Sequence, residues 1–199
     1  MVASSVAATS PDLDRAMDRH AQGDEAAFRE LHDGLAPRLQ RFLQRLCGSA
    51  ALAADLTQEA FLRMHRARAS FGDGAAVVPW ALAIARNAYI DHARRRATRI
   101  LERAAGPEED PDAPSNQVPS MTGHGEQHAL AREAADVVGA TLAAMPLAHR
   151  EAFLLLRYEG LSVAEAAETL GTTENAVKMR AFRAYEALRA ALQHRDGGR

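Results

Sequence analysis

The clearest pattern of apolar and polar positions lies towards the C-terminal end, in residues 161–192. Gly171 divides it into two segments, and in each the apolar residues recur every three or four positions, as in amphipathic helices. In the first segment Ser162 is followed three positions later by Glu165, a capping-box sequence in which each side chain satisfies a free backbone N–H. A threonine after Gly171 can cap the second segment. The pattern predicts two short helices joined by a tight turn.

The second of these helices has two unlike faces. The face towards the core is small and apolar and comprises Val177, Ala181, Ala184 and Leu188. The opposite face mixes amide, basic and large apolar side chains, namely Asn175, Lys178, Met179, Phe182 and Arg183. Such a helix pair fits a helix-turn-helix whose second helix enters the major groove of DNA. An ordinary helical hairpin with a solvated basic face fits the spacing too. Other segments of the chain are therefore needed to distinguish the two interpretations.

The N-terminal half shows the same helical periodicity. Residues 1–20 are small, polar and almost unpatterned, and we expect them to be a flexible leader. From Glu25 to Leu46 the apolar positions form one stripe, within which Pro37 predicts a kink or a brief break. Ser49 can then cap a helix of about residues 51–69.

That helix presents an acidic and amide-rich surface in its first half: Asp55, Gln58, Glu59 and Phe61. Two glycines then predict a loop over residues 71–78, and Pro79 is well placed in the first turn of the next helix. Trp80 and Tyr89 precede a run of arginines that includes Arg94, Arg95 and Arg96. Aromatic rings that stack on bases, beside guanidinium groups that hold phosphates, are typical of single-stranded nucleic-acid binding. The same sequence is also compatible with a core tryptophan followed by a run of solvated arginines.

A linker separates this half from the last helices. Residues 106–125 contain four prolines and three glycines with few apolar side chains, too few to build a core. We therefore expect an all-α chain of two small helical domains on a flexible tether, the second ending in the helix-turn-helix. The expected divisions are a leader, a first domain, an acidic linker, a second domain and a short tail, at residues 1–20, 21–103, 104–128, 129–194 and 195–199.

The composition supports a helical fold and restricts the kinds of site that the chain can contain. Hydrophobic residues make up 47 % of the 199 and aromatic residues only 5 %, while β-branched runs are scarce. Cys47 is the one cysteine, which excludes an internal disulfide and a cysteine-cluster metal site and suits a reducing cytoplasm. The start of the chain lacks the basic and apolar regions of an export signal. We expect neither metal nor cofactor, and we find no nucleophile–base pair or phosphate loop that would predict an enzyme.

The formal net charge of −2 conceals a segregation of charge. Residues 63–103 hold nine arginines and three acidic residues, a net charge of +6. Residues 104–127 hold five acidic residues and no lysine or arginine, a net charge of −5. The basic surface that nucleic acid requires is therefore confined to separate parts of an acidic chain.

Three motifs in a fixed order resemble those of one protein family. They are DLTQEAFLRMHRA at residues 55–67, PWALAIARNAYIDHARRR at residues 79–96, and the helix-turn-helix region at residues 145–189. Together they resemble the bacterial RNA polymerase sigma factors, specifically the small two-domain extracytoplasmic-function (ECF) class. The resemblance covers about residues 24–103 and 130–192, nearly all of the chain that we expect to fold.

The resemblance implies a role for each motif. In the first motif, Asp55, Gln58, Glu59 and Phe61 match the surface that binds core RNA polymerase. The loop at 71–78 and the second motif match the parts that open the −10 promoter element and hold an extruded base, which assigns Phe71, Trp80, Arg86 and Asn87. In the last motif, Lys178, Met179, Phe182 and Arg183 match the positions that read the −35 element, although Met179 replaces a residue that is usually small and polar. Pro79 and Ala81 around Trp80 also depart from the family's pattern.

The resemblance also implies partners: core RNA polymerase, promoter DNA and an anti-sigma factor, which in this class is typically anchored in the membrane. A stand-alone helix-turn-helix regulator is the alternative function. It accounts for residues 161–192 but leaves the first two motifs without a role. Run-off transcription with core polymerase separates the two functions.

Overall fold

The computed structural model describes residues 11–72, 74–104 and 126–196. Within these residues the backbone forms eight α-helices and one 3₁₀ turn, Arg68–Ser70, and no strand. The helices are α1 Pro11–Ala21, α2 Glu25–Cys47, α3 Ala50–Ala67, α4 Val77–Ala104, α5 Glu126–Ala144, α6 Leu147–Arg157, α7 Val163–Leu170 and α8 Glu174–Asp196. The predicted all-α fold is confirmed.

Helix α1 lies within the stretch that the sequence suggested was a flexible leader. It packs on α2 and buries Ala16 and Met17 completely. Leu13 of α1 lies so close to Gly34 of α2 that a Cβ at position 34 would sit 2.6 Å from the Leu13 side chain. The leader prediction is therefore wrong for residues 11–20, because α1 contributes to the core. Residues 1–10 are outside the described part of the chain.

Helix α2 is the central helix of the N-terminal bundle. Its start is capped by Asp24, whose carboxylate accepts hydrogen bonds from the N–H groups of Ala26 and Ala27. It ends at Gly48, which adopts the left-handed conformation with φ of 74°. The helix runs through Pro37 without interruption, so the predicted break is absent.

Helices α3 and α4 complete the N-terminal bundle. Ser49 caps α3 as predicted, accepting a hydrogen bond from the N–H of Leu52. Helix α4 begins at Val77, two residues before the expected Pro79, because Asp14 of α1 accepts a 2.8 Å hydrogen bond from the Val77 N–H. This long-range cap supplies the acceptor that the local sequence of α4 lacks.

The C-terminal bundle follows the predicted pattern closely. The capping box of Ser162 and Glu165 is present at the start of α7, and Gly171 ends that helix in the left-handed conformation. Thr173 accepts a hydrogen bond from the N–H of Ala176 at the start of α8. The four expected inward residues of α8 are all buried: Val177, Ala181, Ala184 and Leu188.

The two bundles pack against each other. Helix α4 contacts α7, and α2 contacts both α5 and α6. The buried apolar side chains of both halves form one continuous core. The expected picture of two domains held only by a tether is therefore incomplete for this conformation. Most of the predicted linker, residues 105–125, lies outside the described residues, but 104 and 126–128 are helical.

Candidate nucleic-acid interface

Helix α8 presents a mixed basic and apolar surface to solvent. Met179 is 48 % exposed and Phe182 is 59 % exposed, although both are large apolar side chains. Asn175, Lys178 and Arg183 are exposed on the same helix. Lys178 has only a weak ion pair with Glu174, at 3.5 Å and also exposed. Because the opposite face of α8 fills the core, this outer face is free to meet another molecule.

A second exposed ring of α8, Tyr185, lies one turn beyond Phe182. It packs edge-on against Phe153 of α6, with 5.1 Å between ring centroids. Tyr185 is therefore anchored to the core at one edge, whereas Phe182 has no ring partner among the described residues. The sequence pattern did not single out Tyr185.

The two aromatic residues that were expected near the −10 element, Phe71 before α4 and Trp80 in its first turn, lie in contact. Phe71 is buried and meets the half-buried Trp80 edge-to-face, with 5.1 Å between ring centroids. Asn87, two turns further along α4, is exposed. The Phe71 ring thus supports Trp80 from the core side, and Trp80 and Asn87 are the members of this set that reach the surface.

The arginine run lies on the far part of α4, which extends from the bundle. Arg94, Arg95 and Arg99 are exposed, and Arg96 is half-buried. His92 lies beside this group. Its pKa is lowered, first by burial and then by repulsion from Arg95, Arg99 and Arg96. The ring is therefore kept neutral, and the positive charge here comes from arginine side chains, which stay charged at any physiological pH.

Arg86 does not face solvent as Asn87, Arg94 and Arg95 do. Its guanidinium forms two hydrogen bonds with the carboxylate of Glu151 on α6, at 2.8 Å and 3.2 Å. The Glu151 side chain is 2 % exposed and the Arg86 side chain 19 %. Arg86 also donates a 3.3 Å hydrogen bond to the side-chain oxygen of Asn87. In this conformation the Arg86 guanidinium is used to join the two bundles.

The predicted polymerase surface on α3 is only partly exposed. Asp55 and Gln58 face solvent. Glu59 is half-buried and binds Arg63 at 2.7 Å, and Arg63 also binds Asp91 of α4 at 2.6 Å. The two carboxylates raise the pKa of Arg63 above its usual value. This network fixes Glu59 against α4 while Asp55 and Gln58 remain free.

Phe61 is the member of this set that lies in the core in this structure. Its side chain is 5 % exposed and packs against two rings of α2, Phe28 edge-to-face and the exposed His32. Its neighbour Leu62 is 53 % exposed. Adjacent residues point about 100° apart on a helix, and positions 55, 58, 59 and 62 share one face. The exposed apolar residue of this surface is therefore Leu62, and the spacing from Asp55 could have found it.

Within the described ranges, no group of three or more His, Cys, Asp or Glu side chains could hold a metal ion. None of the described helices is long and apolar enough to span a membrane. The half-buried Cys47 donates to the backbone oxygen of Ser49, and burial raises the pKa of its thiol, which makes it a weak nucleophile.

Comparison with known families accounts for both bundles. Residues 31–99 match the model for sigma-70 region 2, and residues 135–188 match the model for sigma-70 region 4. The RNA polymerase sigma factor CarQ of Myxococcus xanthus is 35 % identical over 88 % of this chain and 95 % of its own length. The ECF sigma factor SigF of Caulobacter vibrioides is 32 % identical over 95 % of this chain and 98 % of its own.

The chain belongs to the ECF sigma factors. As a sigma factor it acts in transcription initiation, with core RNA polymerase and promoter DNA as its partners. In this sigma factor the region 2 match lies within α2–α4 of the first bundle, and the region 4 match lies within α5–α8 of the second.

Two solved structures share the fold of this sigma factor. One is the sigma factor RpoE in complex with the anti-sigma factor NepR from Bartonella quintana, with a TM-score of 0.66 and 22 % identity, covering 83 % of this chain and 96 % of that one. The other is CnrH in complex with the cytosolic domain of CnrY, with a TM-score of 0.65 and 23 % identity, covering 92 % and 98 %.

Proposed function

We propose that this ECF sigma factor divides promoter recognition among three surfaces. The outer face of α8 reads the −35 element as duplex, the exposed part of α4 captures the opened −10 element, and the outer face of α3 binds core polymerase. The observation that carries the proposal is the outer face of α8, where Met179 and Phe182 stand exposed beside Lys178 and Arg183. A helix of a water-facing hairpin has no need of two large apolar side chains there.

The α8 face suits the major groove in both its polar and its apolar members. Lys178 and Arg183 supply cations for phosphates or guanine edges, and Asn175 can pair with adenine. Met179 and Phe182 can contact the methyl group of thymine, an apolar feature found only in the major groove. The short helix α7 holds α8 at the groove, as the first helix of a helix-turn-helix does.

The exposed part of α4 suits single-stranded DNA. Trp80 offers part of its ring for stacking, Asn87 offers an amide to a base edge, and Arg94 and Arg95 offer charge to phosphates. Stacking contributes roughly 1–3 kcal/mol per base, which offsets part of the cost of unpairing. Phe71 packs against Trp80 from the core side and so fixes the orientation of the Trp80 ring.

The α3 face suits a protein partner. Asp55 and Gln58 supply polar contacts, and Leu62 supplies an apolar centre. Small exposed apolar residues surrounded by polar ones are typical of protein–protein contacts. Phe61, buried beneath this face, supports it without reaching the partner.

The test is run-off transcription from a matched promoter with core polymerase and the purified chain. We expect initiation only when both are present, and weak binding to promoter DNA by the chain alone. Tight, sequence-specific binding by the chain alone would favour a stand-alone regulator.

The role of Asn87 is tested with the Asn87→Ala variant on two templates, an intact duplex promoter and one with a pre-melted −10 bubble. We expect the variant to initiate poorly on the duplex and to recover on the bubble, because only strand capture is impaired. Asp136→Asn, an exposed change on α5, serves as the control. Absence of any relief on the bubble would contradict a role in opening.

An anti-sigma factor that covers the α3 face, anchored in the membrane, completes the proposal. Its support is the exposed Leu62, together with the fact that the two related folds were determined in complexes with NepR and CnrY. Co-purification followed by competition with core polymerase tests it, and a partner that binds together with polymerase would contradict it. We further propose that the chain is not an enzyme and works in the cytoplasm, where polymerase and chromosome are.

A further inference from the structure

The contact between the region 2 and region 4 bundles combines part of the continuous apolar core with buried pairs of oppositely charged side chains. Besides Arg86 with Glu151, a second pair joins Arg38 of α2 to Glu159, which follows α6, at 2.7 Å. The two side chains of this second pair are 10 % and 5 % exposed. Arg38 also donates to the backbone oxygen of Glu159. In both pairs the arginine belongs to region 2 and the carboxylate to region 4.

Three further contacts reinforce this interface. Arg150 of α6 donates a 2.6 Å hydrogen bond to the backbone oxygen of Leu46. The guanidinium of Arg45 lies over the Tyr158 ring, 4.3 Å from its centroid. The Thr169 hydroxyl lies 3.4 Å from the backbone oxygen of Pro79. Positive groups thus meet carboxylates, a carbonyl and a ring face, so the bundles are held in one specific register.

The charged part of this interface loses less on opening than its apolar part does. When the bundles separate, water solvates each arginine and each carboxylate, which offsets much of the lost ion-pair energy. Interfaces between domains of one chain are generally more polar than obligate ones, and relative motion is the default expectation for them. The closed form seen here is therefore one of two states available to the chain.

The Arg86 pair also has the geometry of a phosphate contact. Arginine binds carboxylates and phosphates through the same fork of parallel N–H donors. Glu151 occupies two of these donors with its two oxygens, and Asn87 accepts a third hydrogen bond. A DNA strand cannot reach the same donors while Glu151 is in place.

We propose that Glu151 is an intramolecular competitor for promoter DNA: by binding Arg86 it holds the free sigma factor closed, and separation of the bundles exposes Arg86 to the −10 strand. Arg38 and Glu159 form a second pair that holds the bundles together. The two pairs, which we call the latch, determine how often the interface opens. The proposal rests on the assignment of Arg86 to the −10 surface, and it adds a control of that surface within the chain itself.

The closed state lowers apparent DNA affinity in proportion to its population. If the open form is about one-tenth of the free protein, releasing the latch tightens binding about tenfold. Glu151→Gln removes the charge but keeps the shape of the side chain, and we expect it to open the interface. Arg38→Gln should have the same effect from the other pair, at a residue outside the proposed DNA surface. Glu151→Asp, which keeps a carboxylate, should remain largely closed.

The first measurement is the distance between spin labels at Gln40→Cys and Glu168→Cys in a Cys47→Ser background, using the full chain. Both label sites are exposed, one in each bundle. We expect one short distance for the parent and for the Asp136→Asn control, and longer, broader distances for Glu151→Gln and Arg38→Gln. Circular dichroism checks that helix content is unchanged. If both variants keep the short distance, the latch is refuted.

The second measurement is binding of a fluorescent single-stranded −10 oligonucleotide to the same proteins. We expect Glu151→Gln and Arg38→Gln to bind about tenfold more tightly and Asp136→Asn to be unchanged. Opening without a gain in affinity would refute the competition. If no variant binds the oligonucleotide and the holoenzyme does not open promoters, the assigned −10 surface is wrong, and the label distances still decide whether these pairs close the protein.

Discussion

Replacing Phe182 by alanine should weaken recognition of the −35 element without weakening the fold. The ring leaves 59 % of its surface exposed in the free protein. Its removal therefore creates no cavity, in contrast to truncation of a buried phenylalanine. Its only large apolar contacts would be those made with a partner, which in our proposal are the bases of the major groove.

The magnitude follows from the exposed area. With about 200 Å² for a phenylalanine side chain, 59 % exposure corresponds to about 120 Å² that DNA can cover. A groove contact covers one face of the ring, about half of that area, and at about 25 cal/mol per Å² this contributes about 1.5 kcal/mol. We expect the Phe182→Ala holoenzyme to bind the duplex promoter about tenfold more weakly.

The assay compares thymidine with deoxyuridine in the −35 element, which removes the methyl groups and leaves every hydrogen-bonding group in place. Loss of one methyl contact should cost the parent holoenzyme about 0.8 kcal/mol, or about fourfold in affinity. The same replacement should have a smaller effect on Phe182→Ala, because the methyl contact of Phe182 is already lost and only that of Met179 remains. The melting temperature of the variant should equal that of the parent.

Leu62→Ala is the matched control, since it truncates an apolar side chain of similar exposure, 53 %, on the other bundle. It should leave the thymidine preference intact. The reasoning is refuted if Phe182→Ala binds as tightly as the parent, or if it still distinguishes thymidine from deoxyuridine to the same extent.

Three other predictions concern polymerase binding, stability and pH. Leu62→Ala should reduce affinity for core polymerase about tenfold in a competition assay while Phe182→Ala leaves it unchanged, because the two residues lie on different bundles. Ser162→Ala removes the cap that accepts from the Glu165 N–H and should lower stability by about 1 kcal/mol, seen as a melting temperature about 2–4 °C lower. Burial lowers the pKa of His20, so the unfolded chain binds the proton more readily. The free energy of unfolding should therefore fall as pH drops through about 6.5, and His20→Gln should flatten that slope in urea titrations.

The region 4 helices could be predicted almost residue by residue because their signals are local. The capping box of Ser162, the turn at Gly171 and the inward face from Val177 to Leu188 all depend on neighbours within a few positions. Such spacing fixes which side of a helix faces the core, whatever the helix packs against.

Phe61 and Leu62 show the limit of predicting burial from the spacing of apolar residues. Both are large and apolar, and the motif alone does not say which one the core accepts. The ring of Phe61 packs against Phe28 of α2, a contact set by the crossing of two helices rather than by the sequence of one. The pairing of Glu151 with Arg86 is still harder to predict from sequence. The two residues lie 65 positions apart, and nothing in the local sequence of α6 indicates that Glu151 has a partner.

Helix α1 has a consequence for how the protein can be shortened. Asp14 supplies the cap of α4 from 63 positions earlier in the chain, and α4 carries both Trp80 and Asn87. A fragment cut to the region 2 match at residue 31 would retain every proposed −10 contact but would lose this cap and the buried Met17. The first turn of α4 would then fray next to Trp80. A strand-opening fragment of this sigma factor therefore has to include α1, which precedes the boundary of its recognised region.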